Sequence, residues 1–186
     1  MADRDFIFDA KLAELNTALT GSRHSLVLCN TAATSERLQR TLANNAAAAK
    51  EHAGERNPRL APPSVFLFND ALPAARRMSS LDAFRAPPDP FAPIALGPEP
   101  PRVLVATGRA VRGLDLTAGA QAIDTVVLFD FPPDAKAYLS RVGCATRGTA
   151  APAKVATFAV GKQVAFARAL LAHDTEGDPH GLSRGP

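Results

Sequence analysis

The 186-residue sequence contains only two cysteines, and no apolar run approaches the length of a membrane-spanning helix. Cys29 and Cys144 lie far apart and form no CxxC pair, which argues against a disulfide framework and a cysteine-based zinc site. The four histidines lack metal-ligand spacing as well, so no metal site is expected. The acidic N-terminal stretch does not resemble a signal peptide. The sequence favours a soluble intracellular protein and leaves a mitochondrial location open.

The charge and the hydrophobic content are those of an ordinary globular domain. The net charge is +3, which by itself is weak evidence for a nucleic-acid partner. Hydrophobic residues make up 46% of the chain, and its length fits one domain with or without tails. Function therefore has to be sought in individual segments.

Short apolar runs rich in β-branched residues alternate with longer segments of helical periodicity. Strands are predicted at Ser25–Cys29, Val65–Phe68, Val103–Ala106, Thr125–Phe129 and Val155–Ala159. This alternation predicts an α/β fold, an open parallel sheet with helices on both faces. The continuous apolar character of the strands agrees with cover on both sides.

The helices are predicted at Phe8–Leu19, Ser35–Lys50, Pro73–Arg85, a segment from about Asp134 through Val142, and Lys162–Ala172. Thr34 and Asp134 are suitable N-caps for the second and fourth helices. Met78 and Leu81 are expected on the inner face of the third helix.

One α/β domain is predicted to cover residues 6–172, and the polar tail of residues 173–186 is predicted to be disordered. A proline-rich insertion is predicted at residues 86–102, and its residues 86–101 cannot form a helix or a central strand. It enters the amino end of the third strand, away from the edge where such sheets bind ligands. It is either a docking site for a protein partner or an insertion without a role.

Two segments at the carboxyl ends of strands contain groups that could contact a phosphate. Residues 107–115 provide a hydroxyl, glycines, two arginines and a terminal carboxylate, or form an ordinary turn with solvated arginines. Residues 138–148 carry Arg141 and Arg147, which could meet the charge of a phosphoryl group or lie in solvent on an amphipathic helix.

Taken in order, these segments resemble the second RecA-like domain of the DEAD-box RNA helicases. Residues 25–31 are similar to the motif that opens that domain, and residues 68–73 lie where the family has a His-Gly-Asp-Leu turn. The most specific match is Val103–Thr107 followed by Arg112–Asp115. Tyr138–Gly148 lies where the arginine-finger motif belongs. The resemblance covers nearly all of the predicted folded part and implies a RecA-like fold.

The resemblance also implies roles for individual residues. The positions implied to bind RNA are Thr31, Arg77, Thr107, Gly108 and Arg112. Those implied to lie at the nucleotide are Gly113, Asp115 and Arg147, with Arg147 as the remaining catalytic arginine finger. Arg141 would brace the motif without contacting ATP.

Several positions depart from the family pattern. Cys144 replaces the other arginine of the finger, Gly108 replaces an aspartate, and Ala74 replaces a glutamine. Ser140 and Thr146 replace a histidine and a glycine. The 186 residues contain neither a GxxxxGK[ST] phosphate loop nor an Asp-Glu-Ala-Asp motif. The chain alone is therefore expected to lack catalysis and to use ATP and Mg²⁺ only with a first RecA-like domain.

Three functional hypotheses follow from the resemblance. The favoured one is a degenerate helicase domain that binds RNA or a ribonucleoprotein, in RNA processing or ribosome assembly, with ribosome-assembly proteins among its partners. The alternative is a separated or truncated half of an ATP-dependent RNA helicase that needs a first RecA-like domain. The third is a protein-interaction domain that has lost RNA binding.

Overall fold

The computed structural model describes residues 2–53, 62–87, 99–114, 116, 122–146 and 153–175. The helices are α1 (Ala2–Leu19), α2 (Ala32–Ala53), α3 (Ala74–Arg85), α4 (Ala135–Thr146) and α5 (Gln163–Thr175). The strands are β1 (His24–Cys29), β2 (Ser64–Phe68), β3 (Arg102–Thr107), β4 (Thr125–Leu128) and β5 (Lys154–Thr157). Each predicted helix and strand is present, with shifted ends.

The five strands form one parallel sheet in the order β2-β3-β1-β4-β5. The central strand β1 pairs with β3 on one side and with β4 on the other. This arrangement confirms the predicted α/β fold with an open parallel sheet. Because every strand runs in the same direction, the loops that follow the strands meet at one edge.

Helices cover both faces of the sheet. Leu26 and Leu28 of β1 belong to a core with residues of α3, α4 and α5, whereas Val27 and Cys29 belong to a core with α1 and α2. All four side chains are fully buried. The alternation follows from the two-residue period of a strand. Burial of each large apolar side chain contributes about 1.5–3 kcal/mol, so the doubly covered sheet is a large part of the stabilising core.

The start of α2 differs from the prediction. The helix begins at Ala32, and Thr31 is its N-cap, because the Thr31 Oγ1 accepts a hydrogen bond from the backbone N–H of Thr34 at 3.1 Å. The prediction that Thr34 caps the helix was therefore wrong. Thr31 and Thr34 are both acceptable caps by residue type, and the chain uses the one nearer to the end of β1.

The inner face of α3 also differs from the prediction. Leu81 and Phe84 are buried as the stripe requires, but Met78 is 49% exposed. The helix packs mainly on β2, which is the edge strand of the sheet. Because an edge strand covers only part of a helix, the side of α3 that carries Met78 stays in solvent. The prediction that Met78 faces inward was therefore wrong.

Helix α4 begins as predicted. The Asp134 Oδ1 accepts a hydrogen bond from the Ala137 N–H at 2.7 Å, which confirms Asp134 as the cap. Helix α5 continues to Thr175, three residues into the predicted tail, and residues 176–186 lie outside the described part. None of the described helices is long and apolar enough to cross a membrane.

Arg102 joins the two ends of the proline-rich segment at the edge of the sheet where the strands begin, here called the amino edge. Its guanidinium Nη1 donates to the backbone oxygens of Ala83, Phe84 and Ala86 at the end of α3. Its Nη2 forms an ion pair with Glu99 at 3.4 Å. Residues 88–98 lie outside the described residues, but both flanks of the segment are thus held at the amino edge.

Candidate functional site

The carboxyl edge, defined here by Asn30, Asp70, Thr107 and Asp130, lies where four neighbouring strands end. The strand register places Cys29 beside Thr107, Phe68 beside Ala106 and Leu28 beside Leu128. The loops after β1, β2, β3 and β4 therefore begin within one or two residues of aligned positions. In open parallel sheets this edge is the usual place for a ligand.

Arg141 holds the ends of β1 and β4 together. Its Nη2 donates to the Asn30 Oδ1 at 2.6 Å, and its Nη1 donates to the Asp130 backbone oxygen at 3.1 Å. The residue is 8% exposed, and this burial lowers the pKa of the guanidinium from its ordinary value. Because two of its nitrogens bind oxygens from separate loops, Arg141 acts in the structure as a brace.

Gly108 lies directly under the Arg141 side chain. A Cβ atom built at position 108 would lie 2.6 Å from the Arg141 Nε, closer than real Cβ contacts allow. The Gly108 N–H also donates to the Cys29 oxygen at 3.2 Å, which extends the pairing of β3 with β1. The glycine at this position therefore has a local reason, because it leaves room for the buried arginine.

Thr107 ends β3 and is 2% exposed. Its Oγ1 donates to the Asp70 Oδ1 at 3.1 Å and accepts a hydrogen bond from the Ala110 N–H at 3.4 Å. Arg109 forms an ion pair with the other oxygen of Asp70. The loops after β2 and β3 are thus connected through one carboxylate.

Two asparagines that the sequence analysis did not identify shape the same edge. Asn30 donates through Nδ2 to the Phe131 oxygen at 3.0 Å, and its N–H donates to the Asp130 carboxylate. Asn69 is fully buried, and its Oδ1 accepts from the N–H groups of Ala71 and Leu72. The signal for both residues was in the sequence, because each is a polar residue directly after the last residue of a predicted strand.

The residues predicted to bind RNA lie on or beside this edge. Thr31 is exposed at the start of α2, Arg77 is half-buried on α3, and Arg112 is exposed in the turn after β3. Thr107 and Gly108 are both buried at the end of β3. Of these five, Thr107 contacts Asp70 of the carboxyl edge, and Gly108 lies beside the guanidinium of Arg141.

Some of the residues predicted to bind the nucleotide lie within the described part of the chain. Gly113 has φ of +75°, a left-handed conformation that favours glycine whether or not a ligand is near. Asp115, Arg147 and the side chain of Cys144 lie outside the described residues. Within the described residues, one member of the predicted nucleotide set is therefore in view, and no grouping of histidine, cysteine or acidic residues could hold a metal ion.

The thiol of Cys29, close to the carboxyl edge, is sequestered. Cys29 is fully buried at the end of β1, and burial raises the pKa of its thiol well above the ordinary value. A thiol that stays protonated is a poor nucleophile and a poor metal ligand. Cys29 is therefore a core residue of the sheet.

Known proteins share parts of the sequence and the fold of this chain. No protein-family profile matches the chain. In sequence it is similar to the DEAD-box ATP-dependent RNA helicase 50 of Arabidopsis thaliana, with 45% identity over 76 residues. In structure it is similar to the C-terminal domain of the DEAD-box protein Dbp5, with a TM-score of 0.61 and 19% identity over 96% of this chain and 82% of that chain. The chain thus has the fold of a DEAD-box helicase C-terminal domain and is similar in sequence to helicases of that family.

The extent of these likenesses differs. The stretch matched in sequence covers 41% of this chain but only 9% of the Arabidopsis relative. The second domain of the DEAD-box helicase Mss116p, solved bound to an RNA duplex, has a TM-score of 0.61 and 16% identity, over 90% of this chain and 55% of that chain. The predicted resemblance to the DEAD-box helicases and the RecA-like fold are thus confirmed, while the roles of individual residues stay predictions.

Proposed function

We propose that this helicase C-terminal domain binds the sugar–phosphate backbone of RNA along the carboxyl edge and acts as a module of a ribonucleoprotein, without ATP hydrolysis of its own. The proposed setting is RNA processing, and ribosome assembly in particular. The proline-rich segment 86–102, anchored at the opposite edge, is the proposed contact for protein partners.

The strand register is the observation that carries the proposal. It aligns the end of β1, which precedes Thr31, with Thr107 at the end of β3. Exposed Arg109 and Arg112 follow in the same loop. Hydroxyls, backbone N–H groups and arginines are the donors that proteins use for phosphate. The Mss116p domain of the same fold, solved bound to an RNA duplex, supports the choice of ligand.

We propose no catalysis by the chain alone because its arginine-finger motif lacks one of the two arginines. Cys144 is uncharged where an arginine would meet the γ-phosphate, and an arginine finger contributes roughly 10³–10⁵ to related phosphoryl transfers. Gly113, Asp115 and Arg147 are the residues proposed to lie near ATP when a first RecA-like domain, in this polypeptide or another, completes the cleft. Mg²⁺ would enter with that domain.

A second candidate is half of an active helicase. The Arabidopsis relative is by name an ATP-dependent RNA helicase, and 45% identity over the matched stretch favours a shared activity. The two candidates differ when a first RecA-like domain is added to the chain. The module gives no ATP turnover above that of the added domain alone, whereas the helicase half gives RNA-stimulated turnover. Cys144→Arg is expected to restore turnover if the missing charge is the cause.

The RNA-binding claim is tested by fluorescence anisotropy with a labelled oligouridylate. Arg77→Ala/Arg112→Ala is compared with Arg40→Ala/Arg168→Ala, which removes the same charge from exposed positions on α2 and α5. Affinity falls as salt rises, and the loss of two phosphate contacts should make the plot of log affinity against log salt shallower by about 1.4. Equal effects of the two double variants, or no salt-dependent binding by the wild type, would contradict the proposal.

A further inference from the structure

The carboxylate of Asp70 is bound where an RNA phosphate would be expected to bind. Its Oδ1 accepts the Thr107 hydroxyl hydrogen at 3.1 Å, and its Oδ2 is paired with the Arg109 guanidinium. Thr107 is the last residue of β3 and Arg109 lies in the loop that follows it, whereas Asp70 belongs to the loop after β2. The contact therefore bridges two loops of the carboxyl edge.

A hydroxyl and a guanidinium are a donor set for an oxyanion, and a carboxylate and a phosphate satisfy it in the same way. The Thr107 hydroxyl has a single hydrogen, and its other contact, to the Ala110 N–H, uses the oxygen as acceptor. While Asp70 accepts that hydrogen, a phosphate cannot. The negative charge of Asp70 also repels an approaching phosphate.

The backbone that presents Asp70 is fixed. The neighbouring Asn69 is fully buried and donates from Nδ2 to the Ser35 Oγ at 3.1 Å and to the Glu36 Oε1 at 3.3 Å. Its Oδ1 accepts two further hydrogen bonds from the turn that follows. Asn69 thus ties the loop to α2, and the carboxylate needs little ordering to reach Thr107.

The contact itself is weak enough to be replaced. The Arg109 side chain is 77% exposed and that of Asp70 is 28% exposed, so water and salt screen the ion pair. A phosphate that contacts several residues along the edge could therefore displace the carboxylate from Thr107 while the protein stays folded.

We propose that Asp70 is an internal competitor for phosphate, which lowers the affinity of the carboxyl edge for RNA by occupying Thr107 and Arg109. The inference rests on the proposed function, because it assigns a regulating residue to the same RNA site. It implies that Thr107 contributes little to RNA affinity until Asp70 is removed or displaced.

Asp70→Asn removes the charge and keeps the shape, and Asp9→Asn on exposed α1 makes the same change of net charge away from the edge. With a labelled oligouridylate at low salt, Asp70→Asn is expected to bind about three- to tenfold more tightly than Asp9→Asn. Asp70→Ala also removes the oxygen that accepts the Thr107 hydrogen, so Thr107→Val should change wild-type affinity by less than about twofold but should remove most of the gain in the Asp70→Ala background.

The outcomes separate the two claims. Binding by Asp70→Asn no tighter than by Asp9→Asn, or equal losses from Thr107→Val in both backgrounds, overturns the competitor while RNA binding by the wild type stands. If neither the wild type nor any variant binds the oligouridylate, the proposed function is wrong, and the competitor role of Asp70 is wrong with it. Thermal unfolding checks that the variants fold, and Asp70→Ala replaces Asp70→Asn in the same comparison if that variant does not.

Discussion

Arg141 and Gly108 fit together so closely that position 108 has no room for a side chain. A Cβ there would lie 2.6 Å from the Arg141 Nε and 3.0 Å from its Nη2. The guanidinium cannot swing aside without losing its hydrogen bonds to Asn30 and Asp130. Position 108 is therefore limited by packing and not only by what a ligand requires.

Gly108→Ala is expected to destabilise the protein by about 1–3 kcal/mol, the range for overpacking a buried site. Gly143→Ala is the control, because a Cβ at this helical glycine meets nothing within 4 Å. The control should be neutral or stabilise by up to about 1 kcal/mol. Urea unfolding measures both, and equal stability of Gly108→Ala and the wild type would mean that Arg141 has space to move.

Arg141→Lys is expected to destabilise the protein although it keeps the charge. One ammonium group cannot reach the two acceptors that the planar guanidinium spans, so a partly buried oxygen loses its partner at a cost of up to about 1–3 kcal/mol. Arg168→Lys on exposed α5 should change the unfolding free energy by less than about 0.5 kcal/mol. A loss no larger in Arg141→Lys than in Arg168→Lys would remove the role of Arg141 as a brace.

His24 is expected to make stability depend on pH. Burial lowers the pKa of its imidazole below the ordinary value of 6.5, and the charge of Arg102 adds to this, against smaller opposite effects of Asp124 and Glu99. The unfolded chain therefore binds the proton more readily, so stability falls as the pH drops below about 6.5.

His24→Phe tests this, because phenylalanine preserves the edge-to-face contact with Phe84 at a centroid distance of 5.6 Å. Urea unfolding at about pH 7.5 and about pH 5.5 should show a smaller difference in the variant than in the wild type. The same difference in both proteins would assign the pH dependence to other groups.

Cys29 is expected to be unreactive in the native state, because its buried thiol has a raised pKa. The Cys144→Ser variant leaves Cys29 as the single cysteine, and a thiol reagent such as Ellman's should modify it at the rate of unfolding. Modification within the mixing time under native conditions would show that the end of β1 opens locally.

The strands could be predicted because burial on both faces leaves a continuous apolar run, as in β1, and this signal is local. Thr34 and Met78 show where local patterns fail. Two threonines three residues apart satisfy the same rule for an N-cap, and a helical stripe does not reveal that α3 lies on an edge strand. Which cap is used and how far the sheet extends are settled by tertiary packing.

Within the site, residue types suggested the loops but not their partners. Arg141 contacts Asn30 across 111 positions, and Thr107 contacts Asp70 across 37 positions. No spacing in the sequence encodes such pairs, because the order of the strands brings them together. The same order explains why Asp70 was not predicted as a site residue, although it contacts Thr107 at the end of β3 and Arg109 in the loop that follows.

RNA contact at the carboxyl edge is tested most directly by titrating the ¹⁵N-labelled chain with an oligouridylate and following backbone amide signals. The amides of Thr31, Thr107, Gly108 and Arg112 are expected to shift, while those of Ser64 and Arg102 at the amino edge stay in place. Shifts confined to the amino edge, or the absence of any shift at an RNA concentration that saturates binding, would contradict the account.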